Sequence, residues 1–412
     1  IERDNTGFDV GAYKEALLTL GREKLAEYEE VILMNFTLAG PVCPLGPMFA
    51  AMDARAELDF WGLTRHYAMQ SRRFGGAVPE HLQSHFLALR PRLFNSDAFW
   101  DYWQQMALPA SYEQSVILHE TRFTPYFAAK GYIWDTYVNT DDLCGVFVNP
   151  IMACPVELLQ KRDCPFFKRR SLFTPYADEL RRTDGCAAGE LYRYVKAHTE
   201  FPVDLLLASL LQTQPMAALA KNLHWNYVIA EPAAEVPDLA ALGLRLLRYT
   251  LPAADPVTDW YNKKASADAD ALLGRAAQLF EKKPLLGVLS PALPLWQGCA
   301  AARRTQWQRD ARTLAEKAAV PVGSDPLPAP NCGWLLVREA SFLDGIPPCT
   351  TQRDAWQLAL TAQAAGHYAA AFETAAQAAA RADALDAYEA DAARPAAVAK
   401  HLGRLIKHKL QK

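Results

Sequence analysis

The chain has no CxxC pair. Its eight cysteines, Cys43, Cys144, Cys154, Cys164, Cys186, Cys299, Cys332 and Cys349, are scattered. That spacing indicates neither a zinc site nor a small disulfide scaffold, and a reducing cytoplasm is the simplest home. No apolar run approaches the ~18–20 residues of a membrane span. No signal peptide opens the sequence. No charge sign dominates: 43 Lys and Arg face 46 Asp and Glu, for a net charge of −3. Bulk electrostatics therefore gives no case for nucleic-acid binding. What remains is globular: 51% hydrophobic and 22% charged residues, with no compositional bias of a disordered or fibrous chain. A length of 412 residues exceeds one core and suggests two or three domains. The first residue is Ile1 and it opens inside a motif, so upstream residues are expected in the natural protein.

The organising stretch is Val31 to Met48. Val31-Ile32-Leu33-Met34 reads as a short strand buried on both faces. It ends at Asn35-Phe36-Thr37, where polar side chains emerge at the carboxyl end, the end at which open α/β sheets bind ligands. Upstream, Asn5, Thr6, Gly7 and Asp9 form a turn cluster, with Asp9 as N-cap of a helix from Val10 to Leu20. Turn, helix, strand and polar tip make half of a nucleotide-binding βαβ unit. Asp59 to Leu63 is a second strand and Arg65 to Ala77 a mobile loop. Glu80 to Leu89 is a third strand, which puts His81 and His85 on one face. Asn95 to Met106 is an aromatic amphipathic helix. Ser115 to Glu120 leads into a helix that runs to Lys130 and closes at Gly131 before a strand at Tyr132–Val138. Lys168-Arg169-Arg170 sets three cations side by side, suited to a diphosphate or an anionic lipid-linked acceptor, or simply to a solvated basic turn.

Residues 176–230 read as helices at Tyr176–Thr183, Ala187–His198, Pro202–Leu211 and Met216–Leu223. Beyond a junction rich in Ala, Leu and Pro comes a short strand at Leu244–Tyr249, followed by two further stretches, Lys282–Pro291 and Asn331–Arg338. Asp259, Lys263 and Lys264 are the polar cluster of that part. From Asp354 to Leu410 the chain is Ala-rich and expected to be helical. Ala365 to Ala371 there has the small-residue spacing of one tetratricopeptide-like hairpin, and one such copy must pack on something else. The last helix, Ala399 to Leu410, is basic and amphipathic, suited to an anionic membrane surface or to docking by its Leu/Ile stripe.

An ordered set of segments carries a resemblance. Gly7 to Lys14, Val31 to Pro41, Asp59 to Thr64, His81 to Phe86, Gly131 to Thr136, Asn149 to Leu158, Cys164 to Ser171 and Lys221 to Tyr227 resemble, in order, the rhamnan synthesis protein F family of cell-surface polysaccharide biosynthesis. The arrangement is also similar to inverting GT-A glycosyltransferases. The resemblance implies an α/β chain: a GT-A-like, Rossmann-type sheet domain lacking its first strands (1–175), a helical extension (176–230), a reduced second α/β segment (231–350) and an α-helical C-terminal region (351–412).

The resemblance also implies roles. Glu120 stands where such enzymes place the general base, with His119 beside it to tune it; the plain alternative is a carboxylate favoured by a helix first turn. Asn5, Gly7, Asp9, Asn35 and Thr37 would line the donor side, joined by Lys168, Arg169 and Arg170. Asp59, Trp61, His81, Gln83 and His85 would face the acceptor. GT-A enzymes usually hold Mg²⁺ or Mn²⁺ with an Asp-x-Asp triplet, because hard cations favour carboxylate oxygens. Asn35-Phe36-Thr37 brings no negative charge there, so metal binding is doubtful and no metal ligand is assigned. The implied partners are a nucleotide-sugar donor, such as a rhamnose donor, and a polysaccharide or lipid-linked glycan acceptor. The implied place is the cytoplasm, with peripheral contact at the inner membrane face through the C-terminal helix. Two competing readings are a GT-A-like binding or assembly subunit without chemistry, and a scaffold that docks through its C-terminal helices.

Overall fold

The computed structural model describes residues 2–4, 6–174, 185–225, 227–229, 235–248, 269–291, 297–324, 327, 334–376, 378–379, 382–383, 390 and 394–410. Helices and sheets are mixed along the chain, which divides into two compact units, Ile1–Pro202 and Val203–Lys412.

The first unit opens with a glycine turn into α1 (Phe8–Leu25). Gly7 has φ +76°, and a Cβ there would meet Leu108 Cδ2 at 2.9 Å. Backbone conformation and close approach both require glycine. α1 puts Val10, Tyr13 and Leu17 into the core. Then follow β1 (Val31–Met34), β2 (Leu38–Ala39), α2 (Gly46–Asp53), β3 (Phe60–Gly62), β4 (Arg65–His66), β5 (Met69–Ser71), β6 (Gly76–Val78), β7 (His81–Leu82) and β8 (Phe86–Leu89). After α3 (Pro91–Phe94) and α4 (Asp97–Gln105), α5 (Tyr112–Ser115) passes through one π-helical turn, Val116–Glu120, into α6 (Thr121–Ala128). β9 (Trp134–Thr136), α7 (Pro150–Ala153), α8 (Pro155–Lys161), β10 (Phe167–Lys168) and α9 (Ala187–His198) complete the unit.

Its main sheet has the order β1-β8-β3-β9. β8 is antiparallel to β1 and β3, and β9 is parallel to β3. The core between this sheet and the helices is aromatic: Phe60, Phe99, Trp103, Phe123 and Phe127 are almost wholly buried. α4 fits its expected amphipathic form, with Ser96 capping it by accepting the Phe99 N–H.

Several expectations need correction. β1 is not buried on both faces: Leu33 is in the core, whereas Ile32 and Met34 are 39% and 42% exposed. Alternation puts them on the opposite face of a strand that is at the edge of the described sheet. The long strand expected at Glu80–Leu89 is broken at Gln83–His85 into β7 and β8, so His81 and His85 do not share one strand face. The loop expected at Arg65–Ala77 contains β4, which pairs with β7, and the β5–β6 hairpin. Glu120 is not in a helix first turn but inside a continuous helical run, at its π turn. The helix expected at Tyr176–Thr183 lies outside the described residues.

The second unit contains α10 (Val203–Thr213), α11 (Met216–Asn222), β11 (Tyr227–Ile229), β12 (Leu244–Arg248), α12 (Ala269–Lys282), β13 (Leu286–Pro291), α13 (Gln297–Ala318), β14 (Trp334–Arg338), α14 (Gln352–Ala364), β15 (Tyr368–Glu373) and α15 (Pro395–Leu410). The sheet order is β11-β15-β13-β14-β12, with β15 parallel to both neighbours and β14 antiparallel to both of its own. The strand expected near Leu244 is present, and β13 and β14 fall within the stretches Lys282–Pro291 and Asn331–Arg338.

The expected all-helical C-terminus is overturned at β15. Tyr-Ala-Ala-Ala-Phe-Glu is a strand with all six residues buried, and it takes the place of the expected tetratricopeptide-like hairpin. Helix propensity of alanine is a weak local bias, which tertiary packing overrides. Here the flanking aromatics decide: Tyr368 stacks on Trp225 at 4.5 Å and Phe372 meets Trp334 edge-on at 5.9 Å. α15 is the expected terminal helix. Asp259, Lys263 and Lys264 lie outside the described residues. Among the described residues no helix is long and apolar enough to cross a membrane.

Candidate functional site

A cleft of about 140 Å³ lies in the first unit, beside the polar tip of β1. Asp9, Asn35, Thr37, His81, Gln83, Glu120, Lys168 and Arg170 line it. They come from five separate stretches of sequence. Phe8, His66, Phe74, Ser84, Tyr112 and Asn149 line it as well.

One wall is a chain of hydrogen bonds. β10 pairs with β2, which sets Lys168 opposite Leu38. From there Lys168 Nζ donates to Thr37 Oγ1 at 3.1 Å. The Thr37 hydroxyl and backbone N–H donate to Asn35 Oδ1 at 2.5 and 3.0 Å. Asn35 Nδ2 donates to Asp9 Oδ2 at 2.7 Å. Burial raises the Asp9 pKa; Lys168 opposes that and the charge of Glu120 adds to it.

The opposite wall centres on Glu120. The π turn adds a residue to the helix and re-aims its side chains, so that His119 and Glu120 face different ways. Ser84 donates to Glu120 Oε2 twice, from Oγ at 2.6 Å and from N at 3.1 Å. The break between β7 and β8 is what turns Ser84 toward the carboxylate. Oε1 is 3.7 Å from His81 Nε2, beyond hydrogen-bond range. Burial works against ionisation of Glu120, but His81, the Ser84 hydrogen bonds and the charge of Lys168 outweigh it. The carboxyl is held well below the usual carboxylate range. His81 Nδ1 lies 2.7 Å from the Pro79 carbonyl. A carbonyl only accepts, so Nδ1 carries a proton and Nε2 is the nitrogen turned to Glu120. His66 stacks on His81 with ring centres 5.0 Å apart. Burial, then the charge of His81, lowers the His66 pKa to about 4.

Gln83 is a buried bridge: it accepts from Thr64 Oγ1 at 3.0 Å and donates to Asn149 Oδ1 at 3.3 Å. Arg170 donates to Tyr112 Oη at 3.1 Å and to Thr174 Oγ1 at 3.2 Å.

Other expected site residues are elsewhere. His119 is fully buried, with Nδ1 2.8 Å from the Tyr102 hydroxyl and its ring against Trp103; it belongs to the aromatic core. Asp59 is buried and accepts from Arg92 and from the Ile133 N–H, which ties the sheet together. Trp61 is buried with its indole N–H on Glu30. Arg169 points away from the cleft, over the Phe36 ring. Gly7 shapes the turn into α1 without lining the cleft. His85 is buried behind the wall, and burial, then the charge of Lys168, lowers its pKa well below the ordinary value. Asn5 lies outside the described residues. Ser84, His66 and Tyr112 were missed, because their relevance depends on a strand break, a strand pairing and a helix approach that local sequence does not announce. Ser84 did stand inside the quoted segment His81 to Phe86, and that was the available signal.

Fold and cleft together define a mixed α/β protein with a charged pocket at the carboxyl end of a sheet strand. The model of the family rhamnan synthesis protein F matches residues 1–240, and the chain belongs to that family. Membership implies a part in rhamnan polysaccharide synthesis. No curated protein and no solved structure matches the chain.

Proposed function

We propose that the protein is a GT-A-like glycosyltransferase that moves a sugar, rhamnose or a related deoxyhexose, from a nucleotide donor to a growing polysaccharide with inversion. One observation carries this reading: Asp9, Asn35, Thr37, Glu120, Lys168 and Arg170, remote in sequence, converge on one cleft in a chain of this family. The antiparallel strand β8 between β1 and β3 also suits a GT-A-like sheet.

In this reading the acceptor hydroxyl oxygen attacks the anomeric carbon while the bond from that carbon to the diphosphate oxygen breaks. Its electron pair leaves with the nucleoside diphosphate. The hydroxyl proton passes to Glu120. Oε2 is committed to Ser84, so Oε1 is the receiving oxygen. A carboxylate with a lowered pKa is always ionised at neutral pH but is a weak base. His81 lies 3.7 Å from Oε1, and with Gln83 and His66 it shapes the acceptor side. Arg170 and Lys168 face the departing charge.

The second reading is an assembly subunit that binds a glycan or nucleotide without chemistry. The internal engagement of Asn35 and Thr37 favours it, since neither side chain is left as a ligand for a catalytic cation. The deciding experiment is thermal-shift titration of nucleotide sugars on the natural full-length chain, followed by a transfer assay. A bound donor at 100 times its Kd stabilises by about 2.7 kcal/mol. Stabilisation with transfer supports the enzyme; stabilisation without transfer to any glycan acceptor supports the subunit.

A further inference from the structure

We infer that Lys168 takes the position of the divalent cation, so that donor binding and transfer proceed without metal and the leaving diphosphate is neutralised by an ammonium group. The inference rests on the glycosyltransferase reading and goes beyond it. Among the described residues no group of three or more His, Cys, Asp or Glu side chains is placed to hold a metal ion. The geometry adds a positive argument. Thr37, at the tip of the ligand-facing strand, already accepts a cation: Lys168 Nζ is 3.1 Å from Thr37 Oγ1. A Mg²⁺ or Mn²⁺ ion against Thr37 would sit next to that ammonium group, and two cations in one pocket repel strongly where water is scarce. Asn35 uses its carbonyl oxygen on Thr37 and its amide nitrogen on Asp9. Asn35 and Thr37 thus act as positioning residues: they relay Lys168 to Asp9 and fix the ammonium group at the strand tip. Charge closes the account. Lys168 is near enough to oppose the burial that raises the Asp9 pKa and to help lower that of Glu120, so it favours the charged form of both carboxylates in the free site and turns to the diphosphate when a donor enters. Arg170, which lines the same cleft, adds the second cation. In the transfer step the anomeric C–O bond breaks, its electron pair goes to the β-phosphate oxygen, and the Lys168 N–H donates to that oxygen while the acceptor proton goes to Glu120.

The test uses the natural full-length chain and the nucleoside diphosphates UDP, GDP and dTDP, titrated by calorimetry in EDTA and again with Mg²⁺ or Mn²⁺. The expected result is binding of one of them with a Kd that changes less than twofold between EDTA and metal. Lys168→Met should weaken that binding at least tenfold in both conditions, and Lys168→Arg should restore most of it. Thr37→Val should cost less than Lys168→Met. A thermal-unfolding midpoint for Lys168→Met close to the parent excludes misfolding. If that variant unfolds early, the Thr37→Val and EDTA comparisons decide. Binding that appears only with Mn²⁺ or Mg²⁺, or that persists in Lys168→Met with metal, overturns the inference and leaves the transferase reading standing. No binding of any nucleoside diphosphate in either condition overturns both.

Discussion

The strand that leads to the cleft and the central strands of the second unit's sheet are built in opposite ways. In the first unit the strand that leads to the cleft, β1, is short, half-exposed and ends in polar side chains. In the second, β13 and β15 are buried along their whole length. In the first unit the tip of this edge strand and the π turn bring two carboxylates and two cations together in one cleft. The second puts its apolar residues on both faces of a central sheet, the usual condition for parallel strands covered on both sides. The lesson is that apolar strand content identifies neither the core nor the site. Val-Ile-Leu-Met looks more core-like than Tyr-Ala-Ala-Ala-Phe-Glu, yet the latter is the buried strand.

That contrast can be broken from either side. The largest effect is expected at Glu120. Glu120→Gln should lower transfer by about 10²–10⁴-fold, the range of a lost general base, while the protein still unfolds cooperatively from a folded state, at a midpoint lowered as in Ser84→Ala; undiminished transfer in a sugar-release assay would remove the mechanism. The reverse is expected for Phe372→Ala in β15. It should cost about 3–5 kcal/mol of stability in the second unit, read by denaturant unfolding, while donor affinity at the cleft stays within a factor of two. Loss of donor binding in a still-folded Phe372→Ala protein would show that the division of labour is wrong.

Ser84→Ala sharpens the picture with a smaller effect. It removes the hydroxyl donor from Glu120, whose lowered pKa contributes stability that is present above the unfolded carboxylate value and is lost as pH falls through the folded one. The variant should move acid unfolding to higher pH and cost about 1–3 kcal/mol near neutrality. An unchanged acid limb would mean that Ser84 does not hold the carboxylate. Asp9→Asn should be the mildest. The raised pKa of Asp9 has the opposite sign: its stability contribution is present below the unfolded value and lost as pH rises through the folded one. Replacing it should therefore leave stability at neutral pH unchanged or raised by under about 1 kcal/mol, while donor binding weakens because the negative charge that helps hold Lys168 at the strand tip is gone. A marked destabilisation in thermal unfolding would contradict the burial argument.

Much of the cleft was legible before the fold was known, but unevenly. Asp9, Asn35, Thr37, Glu120, Lys168 and Arg170 were singled out because they stood in motifs or at a strand tip, and they meet in space. His119 and Asp59 were singled out on the same grounds, yet they hold the core and the sheet instead. Adjacent residues on a helix point about 100° apart, so one neighbour of Glu120 must face inward, and only packing against Tyr102 and Trp103 says that it is His119. Lys168 and Arg169 diverge for a similar reason: the β2–β10 ladder fixes one toward Thr37 and sends the other over Phe36.

What the sequence determined by itself was local: the glycine turn before α1, the aromatic face of α4, the Gly131 stop and the strand near Leu244. These depend on steric limits and periodicity within a few residues. The tertiary structure alone decided that the chain from Glu80 to Leu89 breaks at Ser84, that a π turn sets Glu120 opposite that serine, and that an alanine run becomes a buried strand. Each of these is settled by contacts between residues far apart in the chain, whose free energy exceeds the local preferences they override.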